Sequence, residues 1–500
     1  MMLDRFKNAA SPLIGPCLLA LFTLSTCYTY GQTPEKLPNV IMIYVDDLGY
    51  GDLSCYGATK IKTPNIDALA QNGLRFSRGH ASSATCTPSR FALMTGVYPW
   101  REKGHNILPG DAALIVPTDK ITLPRLFKNA GYHTGIVGKW HLGLGEKLTK
   151  DWNAEIKPGP NEVGFDYSFI FPATADRVPT VFMENSKIIG LSADDPIEVN
   201  YKTKVGTDPT GKENPELLKL NSSVGHNHTI VNGIGRIGYM SGGKLARWTD
   251  EELAGTFLSK AQRFLSDNRK SPFFLYYAVH QIHVPRMPAT MFKGQSALGY
   301  RGDAILELDW VVGELTNKLK ELNLLENTII IFTSDNGPVL DDGYADGAVA
   351  LTGDHKPAGP LRGWKTERYE GGTRVPFIVT WPARIKPGTS DVLVCQIDLL
   401  ASFAKFFHQD LDHSEASDSQ NILGSLLGES KNGRTVLVEE GYGDLAIVAD
   451  DWKLIPGEGK KKTELYNLKN DIGEKNNLAD SNPEKVKELT ALLERETGKK

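Results

Sequence analysis

The residues able to do chemistry in this chain collect just after short apolar runs. Asp46 and Asp47 follow NVIMIYV (39–45), and Lys139 and His141 follow HTGIVG (133–138). His280 and His283 follow PFFLYYAV (272–279), and Asp335 and Asn336 follow NTIIIFT (327–333). Three carboxylates and an amide oxygen make a hard donor set, suited to Ca2+ or Mg2+ and poor for zinc. Either pair alone reads equally well as a cap or turn. Their recurrence after two runs favours one shared metal site. Lys139, Arg90 and Lys365 (in GWKTERYEGG) add cations, and His141 and His283 add imidazoles. Such groups around a divalent metal describe a site for a tetrahedral anion ester, with a base and an acid available. His280 is the weaker histidine, because strand alternation can point it elsewhere.

The stretch TCTPSR (85–90) places Cys86 before a helix, with Thr87 as a cap, Pro88 at the first helical position and FALMTG to follow. Free N–H groups and the helix dipole favour an anion there, and Arg90 lies one turn on. A thiolate nucleophile is one reading. Thiolate is a soft ligand beside a hard metal set, so an oxygen-bearing group fits position 86 better. Taken alone, the stretch reads as a packed cysteine beside a helix.

The runs that carry these residues, with RVPFIVTW (374–381) as a fifth, are continuous rather than alternating. That suits strands buried on both faces of a sheet. Helical patterns lie between them at 122–131 (Thr122 cap, Gly131 stop), 249–268 and 303–323. Alternating strand and helix predicts an α/β fold with a large, mostly parallel sheet flanked by helices. Ligands bind such sheets beyond the carboxyl ends of the strands, where the polar residues fall. Residues 175–248 read as long loops over that crevice. After a polar stretch near 409–433, strands at 435–440, 445–450, 451–455 and 463–468 and a helix near 482–496 predict a smaller antiparallel subdomain. Lys460, Lys461 and Lys462 fall in the turn of its hairpin. The expected organisation is a signal peptide (1–31), a catalytic domain (36–408) and a C-terminal subdomain (430–500).

The chain has 500 residues, 23% of them charged, and a formal net charge of −4. It has no basic excess to suggest nucleic acid and no acidic tract to suggest disorder. Arg5 and Lys7, an apolar stretch from Pro12 to about Leu24 and a small polar segment near Gly31 follow the layout of an export signal. The expected location is periplasmic or extracellular. An uncleaved N-terminal anchor and a lipoprotein at Cys27 are weaker alternatives, since Thr26 fits a lipoprotein box poorly. No later segment is expected to span a bilayer. Removal of the signal leaves Cys55, Cys86 and Cys395, an odd number that leaves a thiol to explain.

From about Asn39 to the end, VDDLGYGD, CTPSRFALMTG, GYHTGIVGKWHLG, PFFLYYAVHQIH, SDNG and YEGGTRVPF occur in the order found in type I sulfatases. The chain resembles this family, part of the alkaline-phosphatase-like superfamily, and is nearest in pattern to arylsulfatase A-like enzymes. The resemblance implies that a separate maturation enzyme converts Cys86 to formylglycine. It implies a metal, Ca2+ in preference to Mg2+, on Asp46, Asp47, Asp335, Asn336 and residue 86. Arg90 and Lys139 would hold the hydrated aldehyde and His141 would deprotonate it. His283 and Lys365, with Lys139, would bind sulfate and assist the leaving alcohol. Thr174 stands where related enzymes have a serine. The implied activity is hydrolysis of sulfate monoesters: aryl sulfates in the test tube, sulfated carbohydrate in nature. The alternatives are a phosphonate monoester or phosphodiester hydrolase and a non-catalytic binder of sulfated glycans. Arg177, His226, His228, Arg236 and Arg247 are candidates to touch sugar or sulfate, and each reads equally well as a loop residue.

Overall fold

The computed structural model describes residues 37–498, apart from Lys103, Thr149, His413, Glu458 and Lys460. The expected signal peptide, with Cys17 and Cys27, lies outside the described residues, as does Lys460. From Pro38 onward the chain forms one compact unit.

Ten strands form the main sheet: β1 (Asn39–Val45), β2 (Leu74–His80), β3 (His133–Lys139), β4 (Tyr167–Phe171), β5 (Met183–Glu184), β6 (Lys187–Ile188), β7 (Phe273–Ala278), β8 (Thr328–Ser334), β9 (Phe377–Thr380) and β10 (Gly388–Cys395). Their order is β10-β2-β9-β8-β1-β7-β3-β4-β5-β6. The central run β8-β1-β7-β3-β4 is parallel throughout. β9, the fifth apolar run, lies antiparallel to both neighbours, so the sheet is mixed.

Both faces of the sheet are covered, which explains the unbroken apolar runs. Val40, Met42 and Tyr44 of β1 pack with Leu123 and Phe127 of α3 (Leu123–Asn129) and Phe403 of α6 (Leu399–Phe406). Ile41, Ile43 and Val45 point the other way. They pack with Ile66 of α1 (Pro64–Gln71), Phe257 of α4 (Leu253–Asp267) and Leu308 of α5 (Gly299–Glu321). Each such side chain contributes about 1.5–3 kcal/mol by leaving water. At Thr122 the side chain accepts from the Arg125 N–H at 3.3 Å, so the expected cap forms.

The C-terminal sheet runs β11 (Val436–Glu440), β12 (Leu445–Ala449), β13 (Trp452–Ile455) and β14 (Glu464–Asn467), antiparallel and in chain order. Leu489 and Leu493 of α7 (Pro483–Thr497) share an apolar cluster with this sheet and with Tyr98, Leu393 and Cys395. Lys461 and Lys462 lie in the connection from β13 to β14. Residues 175–248 hold only short ladders, among them Glu198–Asn200 with Tyr239–Ser241.

Candidate active site

Register brings the polar residues together. Val45 pairs with Ser334, Tyr44 with Ala278, and Ala278 with Gly138. Asp46–Asp47, Asp335–Asn336, Lys139 and the His280–His283 segment therefore leave the sheet from neighbouring carboxyl ends. Asp47 (φ 60°) and His141 (φ 55°) turn in the left-handed region, which is costly for a residue with a Cβ and marks sharp bends into the crevice. All of these side chains are buried, and so is Lys365, which is 8% exposed.

The helix α2 spans Cys86–Thr95 and is buried along its whole length. Thr85, not Thr87, is its N-cap, and Cys86 is its first residue. The helix begins two residues earlier than Pro88 suggests, because proline's missing N–H is tolerated anywhere in the first turn. Thr87 instead ties the helix to the histidine segment, its hydroxyl donating to the His141 carbonyl at 3.2 Å.

Cys86 Sγ lies 3.4 Å from His141 Nδ1. The other ring nitrogen, Nε2, lies 2.9 Å from the Leu108 carbonyl, which can only accept. His141 therefore carries its proton on Nε2 and turns the Nδ1 lone pair toward residue 86. Burial, with Lys139 and Arg177 nearby, holds its pKa well below 6.5. His283 is oriented the same way in reverse: Nδ1 donates to the Val284 carbonyl at 2.7 Å, and Nε2 faces Asp47 Oδ2 at 3.9 Å. Burial and then Lys365 push its pKa down to about 4. Burial raises the Cys86 thiol against the pull of Lys139 and Lys365, so the unmodified side chain rests as a neutral thiol.

The cations sit on the carboxylates. Lys139 Nζ is 2.7 Å from Asp46 Oδ2, and Lys365 Nζ is 2.9 Å from Asp47 Oδ2. Arg90 forks onto Asp335 Oδ2 through Nε (3.1 Å) and Nη2 (2.8 Å), and Nη1 donates to the Tyr276 hydroxyl. Arg90 thus holds a carboxylate of the donor set rather than residue 86. Asn336 Nδ2 donates to Asp47 Oδ1 at 2.8 Å. Burial, and then Asp46, raise Asp335 to about 6. At Asp47 burial is outweighed by Lys365 and His283, and its carboxyl is held well below the usual range.

This donor set fits a hard cation. Asp46 Oδ1 and Asn336 Oδ1 are buried without a hydrogen-bond partner. Orphaned buried acceptors are costly, and two on adjacent strand ends beside Asp47 and Asp335 are what a divalent ion would satisfy. Asp46, Asp47 and His283 also lie within mutual ligand reach.

Two short straps carry the C-terminal sheet into the site. Ala84 N–H donates to the Glu440 carbonyl (2.7 Å) and Glu440 N–H to that of Ser82 (3.1 Å), just before Cys86. Thr366 N–H donates to Ala84 (2.7 Å) and Tyr442 N–H to Thr366 (2.8 Å), just after Lys365.

The sulfatase family profile matches residues 38–408. The chain belongs to the sulfatase family.

It is 51% identical over 93% of its length to an N-acetylgalactosamine-6-O-sulfatase of Bacteroides thetaiotaomicron, covering 94% of that protein. Human arylsulfatase A is 33% identical, over 81% of this chain and 71% of its own. Among solved structures, a Bacteroides thetaiotaomicron protein studied for the metabolism of multiple glycosaminoglycans superposes with a TM-score of 0.90 at 50% identity, over 93% of this chain and 100% of that one. The sulfatase is a hydrolase of sulfate esters.

Residues that sequence reasoning did not single out complete the sulfatase crevice. Asp342 takes the second contact of Lys365 (3.0 Å), and the Leu108 carbonyl fixes His141. Asp342 follows SDNG by a few residues, which was the available signal. Asp176 binds Arg177 Nη1 at 2.9 and 3.0 Å, and His226 Nε2 lies 3.6 Å from it. Thr174 belongs to this group: its hydroxyl donates to Asp176 and accepts from Arg177 (2.6 Å).

Of the loop candidates, Arg177 and His226 therefore stand by the crevice. Arg236 is a structural residue, fully buried and doubly bonded to Asp250. Arg247 pairs with Asp208, and His228 accepts from the Gly238 N–H and stacks on Tyr239. His280 packs edge-on to Phe171, and burial lowers its pKa to about 3.

Proposed function

We propose that this sulfatase removes the 6-O-sulfate of N-acetylgalactosamine-type sugars in sulfated glycans, using a formylglycine made from Cys86. The relative at 51% identity supports the sugar and the position. The observation that carries the mechanism is the 3.4 Å approach of a lone-pair nitrogen, His141 Nδ1, to residue 86.

Converted and hydrated, residue 86 supplies one hydroxyl to attack sulfur and a second through which sulfate is later released. A Ca2+ ion held by Asp46, Asp47, Asp335, Asn336 and residue 86 would supply charge stabilisation to the attacking oxygen and to sulfate. Lys139 and Lys365 place positive charge where sulfate oxygens must sit, and Arg90 keeps Asp335 ionised and aimed. His283 Nε2 faces the crevice. An arriving anion raises its proton affinity, so it can give a proton to the departing sugar oxygen. His141 takes the proton of the remaining hydroxyl, and the carbonyl reforms as the carbon–oxygen bond to sulfate breaks. A serine in this position would lack that exit, because its sulfate could leave only by a second attack at sulfur.

The chain then needs a maturation enzyme as a partner, and export is the reading its N-terminal residues support. No helix among the described residues is long and apolar enough to cross a membrane.

The test is mass spectrometry of the residue-86 peptide from the native host, paired with sulfate release from 6-sulfated and 4-sulfated N-acetylgalactosamine. Formylglycine and release from the 6-sulfate are expected. Unmodified cysteine in active protein would overturn the mechanism, and faster release from the 4-sulfate would overturn the substrate.

A further inference from the structure

A cavity of about 510 Å³ lies between residues 221–223 and 340–350. Its two walls are tied together: Ser223 N–H donates to Gly343 O at 2.9 Å, and Ala345 N–H to Asn221 O at 2.8 Å. This volume falls in the range of sites for small organic ligands. It adjoins the mouth of the crevice on two sides. Asp342, the partner of Lys365, sits in the wall segment between Asp341 and Gly343. Ser223 Oγ lies 3.1 Å from Nδ1 of His226, the ring that reaches Asp176. The side chains of His226 and Asp342 remain 17% and 34% exposed, so they stand at the rim rather than inside it.

The lining has two characters. Asn221, Ser223 and Asp341 offer polar atoms. Val349, with the alanines on either side, offers an apolar wall and is itself 62% exposed. A pyranose ring matches such a lining, with hydroxyls at its edge and C–H groups on its face. Charge is one-sided: among the described residues no lysine, arginine or histidine lines the cavity. Asp346 is neutralised by Arg286 at 2.6 Å. Asp341 is exposed and accepts from the Gly343 N–H at 3.3 Å. This contrasts with the cationic crevice next to it.

We propose that this cavity receives the sugar glycosidically linked to the sulfated one, and that it selects an uncharged sugar over a hexuronate or a second sulfated residue. The inference rests on the sulfated-glycan reading above and deepens it. A sulfate entering the crevice meets Lys139 and Lys365, whereas an anion on the neighbouring ring meets the exposed Asp341 carboxylate and no cation in the described lining. Like charges a few ångströms apart at a wet surface cost enough to change binding about fivefold, and salt screens the effect.

The experiment measures kcat/KM on three substrates: free 6-sulfated N-acetylgalactosamine, the same sugar linked to galactose, and the same sugar linked to a hexuronate. A preference of about fivefold or more for the galactose-linked substrate is expected at low ionic strength, shrinking as salt is added. Asp341→Lys is expected to abolish or invert it. Equal rates on the two disaccharides, a preference for the hexuronate, or a preference that Asp341→Lys leaves in place would each overturn the proposal. If sulfate is released from the free monosaccharide while the disaccharides do not differ, this inference alone fails. If none of the three is hydrolysed, the substrate reading fails and takes the inference with it.

Discussion

Around Lys453 and at the crevice end of the sheet, the chain buries the same kinds of groups in different ways. Lys453 Nζ is fully buried with Glu370 and Glu439 at 2.9 Å and Glu474 at 3.5 Å. His80 closes the ring on Glu439 (2.7 Å) and Arg374 on Glu370 (3.0 Å). His80, Glu370 and Glu439 lie as near one another as metal ligands do. The ammonium already stands where a cation would go. In the crevice Lys139 and Lys365 each approach one oxygen of Asp46 and Asp47, while Asn336 Oδ1 has no hydrogen-bond partner and Asp46 Oδ1 has only Arg90 Nη2 at 3.8 Å. Equal density of buried charge therefore means different things. The first cluster already holds its cation and ties two sheets together, with Glu439 Oε2 and Glu474 Oε1 keeping only their ion-pair contacts to Lys453. The second is incomplete in a way that a bound ion and an anionic substrate would finish.

The contrast can be broken by experiment. Cys86→Ala should lower kcat about ten-thousandfold or more, as loss of a nucleophile does, with little change in the unfolding midpoint. A variant that keeps more than about a hundredth of the activity would remove residue 86 from the chemistry. Lys453→Met should do the opposite. It leaves three buried carboxylates without their shared ammonium, with only Glu370 keeping a cation in Arg374, at a cost of about 3–5 kcal/mol, read as a lower urea midpoint. An unchanged midpoint would show that the cluster is not what holds the sheets.

Ca2+ sharpens the comparison. At a hundredfold excess over its Kd it should stabilise the protein by about 2.7 kcal/mol, and a chelator should reverse this. In Asp46→Asn the increment should vanish, whereas in Lys453→Met it should persist. The smallest effect is on pH. Burial, then Lys139 and Arg177, keep His141 neutral below its ordinary pKa, so the acid limb of kcat/KM should lie under pH 6.5. Removing a neighbouring positive charge raises an imidazole pKa. Lys139→Met should therefore move the limb upward by about one unit, equivalent to about 1.4 kcal/mol. A limb that stays in place would exclude His141 as the base.

Much of this was legible in the chain itself, for physical reasons. β1, β3, β7 and β8 stood out because burial on both faces leaves continuous apolar runs, and parallel register then fixes where their following residues meet. β2, LRFSRGH, did not stand out, because only part of it is buried and its polar side chains read as loop. β10 was hidden for the same reason, with Gly388, Thr389 and Asp391 exposed at its start. The cysteine, lysine and histidine motifs declared the site, but not their mutual bonds. Nothing local says that Arg90 grips Asp335, that Asp342 shares Lys365, or that Leu108 sets the His141 tautomer. Those are contacts between distant segments. The loops of residues 175–248 carried the least signal, since a buried structural arginine such as Arg236 and a rim arginine such as Arg177 look alike in sequence.

The straps from β11 to the Cys86 loop bear on the order in which the protein is made. Cys86 is 1% exposed, and the backbone that seals it includes Glu440. Roughly 350 residues separate the two, which at about 5–20 residues per second is roughly 20–70 s of synthesis. The proposed maturation enzyme would have that interval, and little afterwards, in which to grip the TCTPSR segment. The late strand would then act as a clock on the early cysteine. A host that translates and folds this chain faster than it modifies it would accumulate a stable, well-packed protein that never turns over.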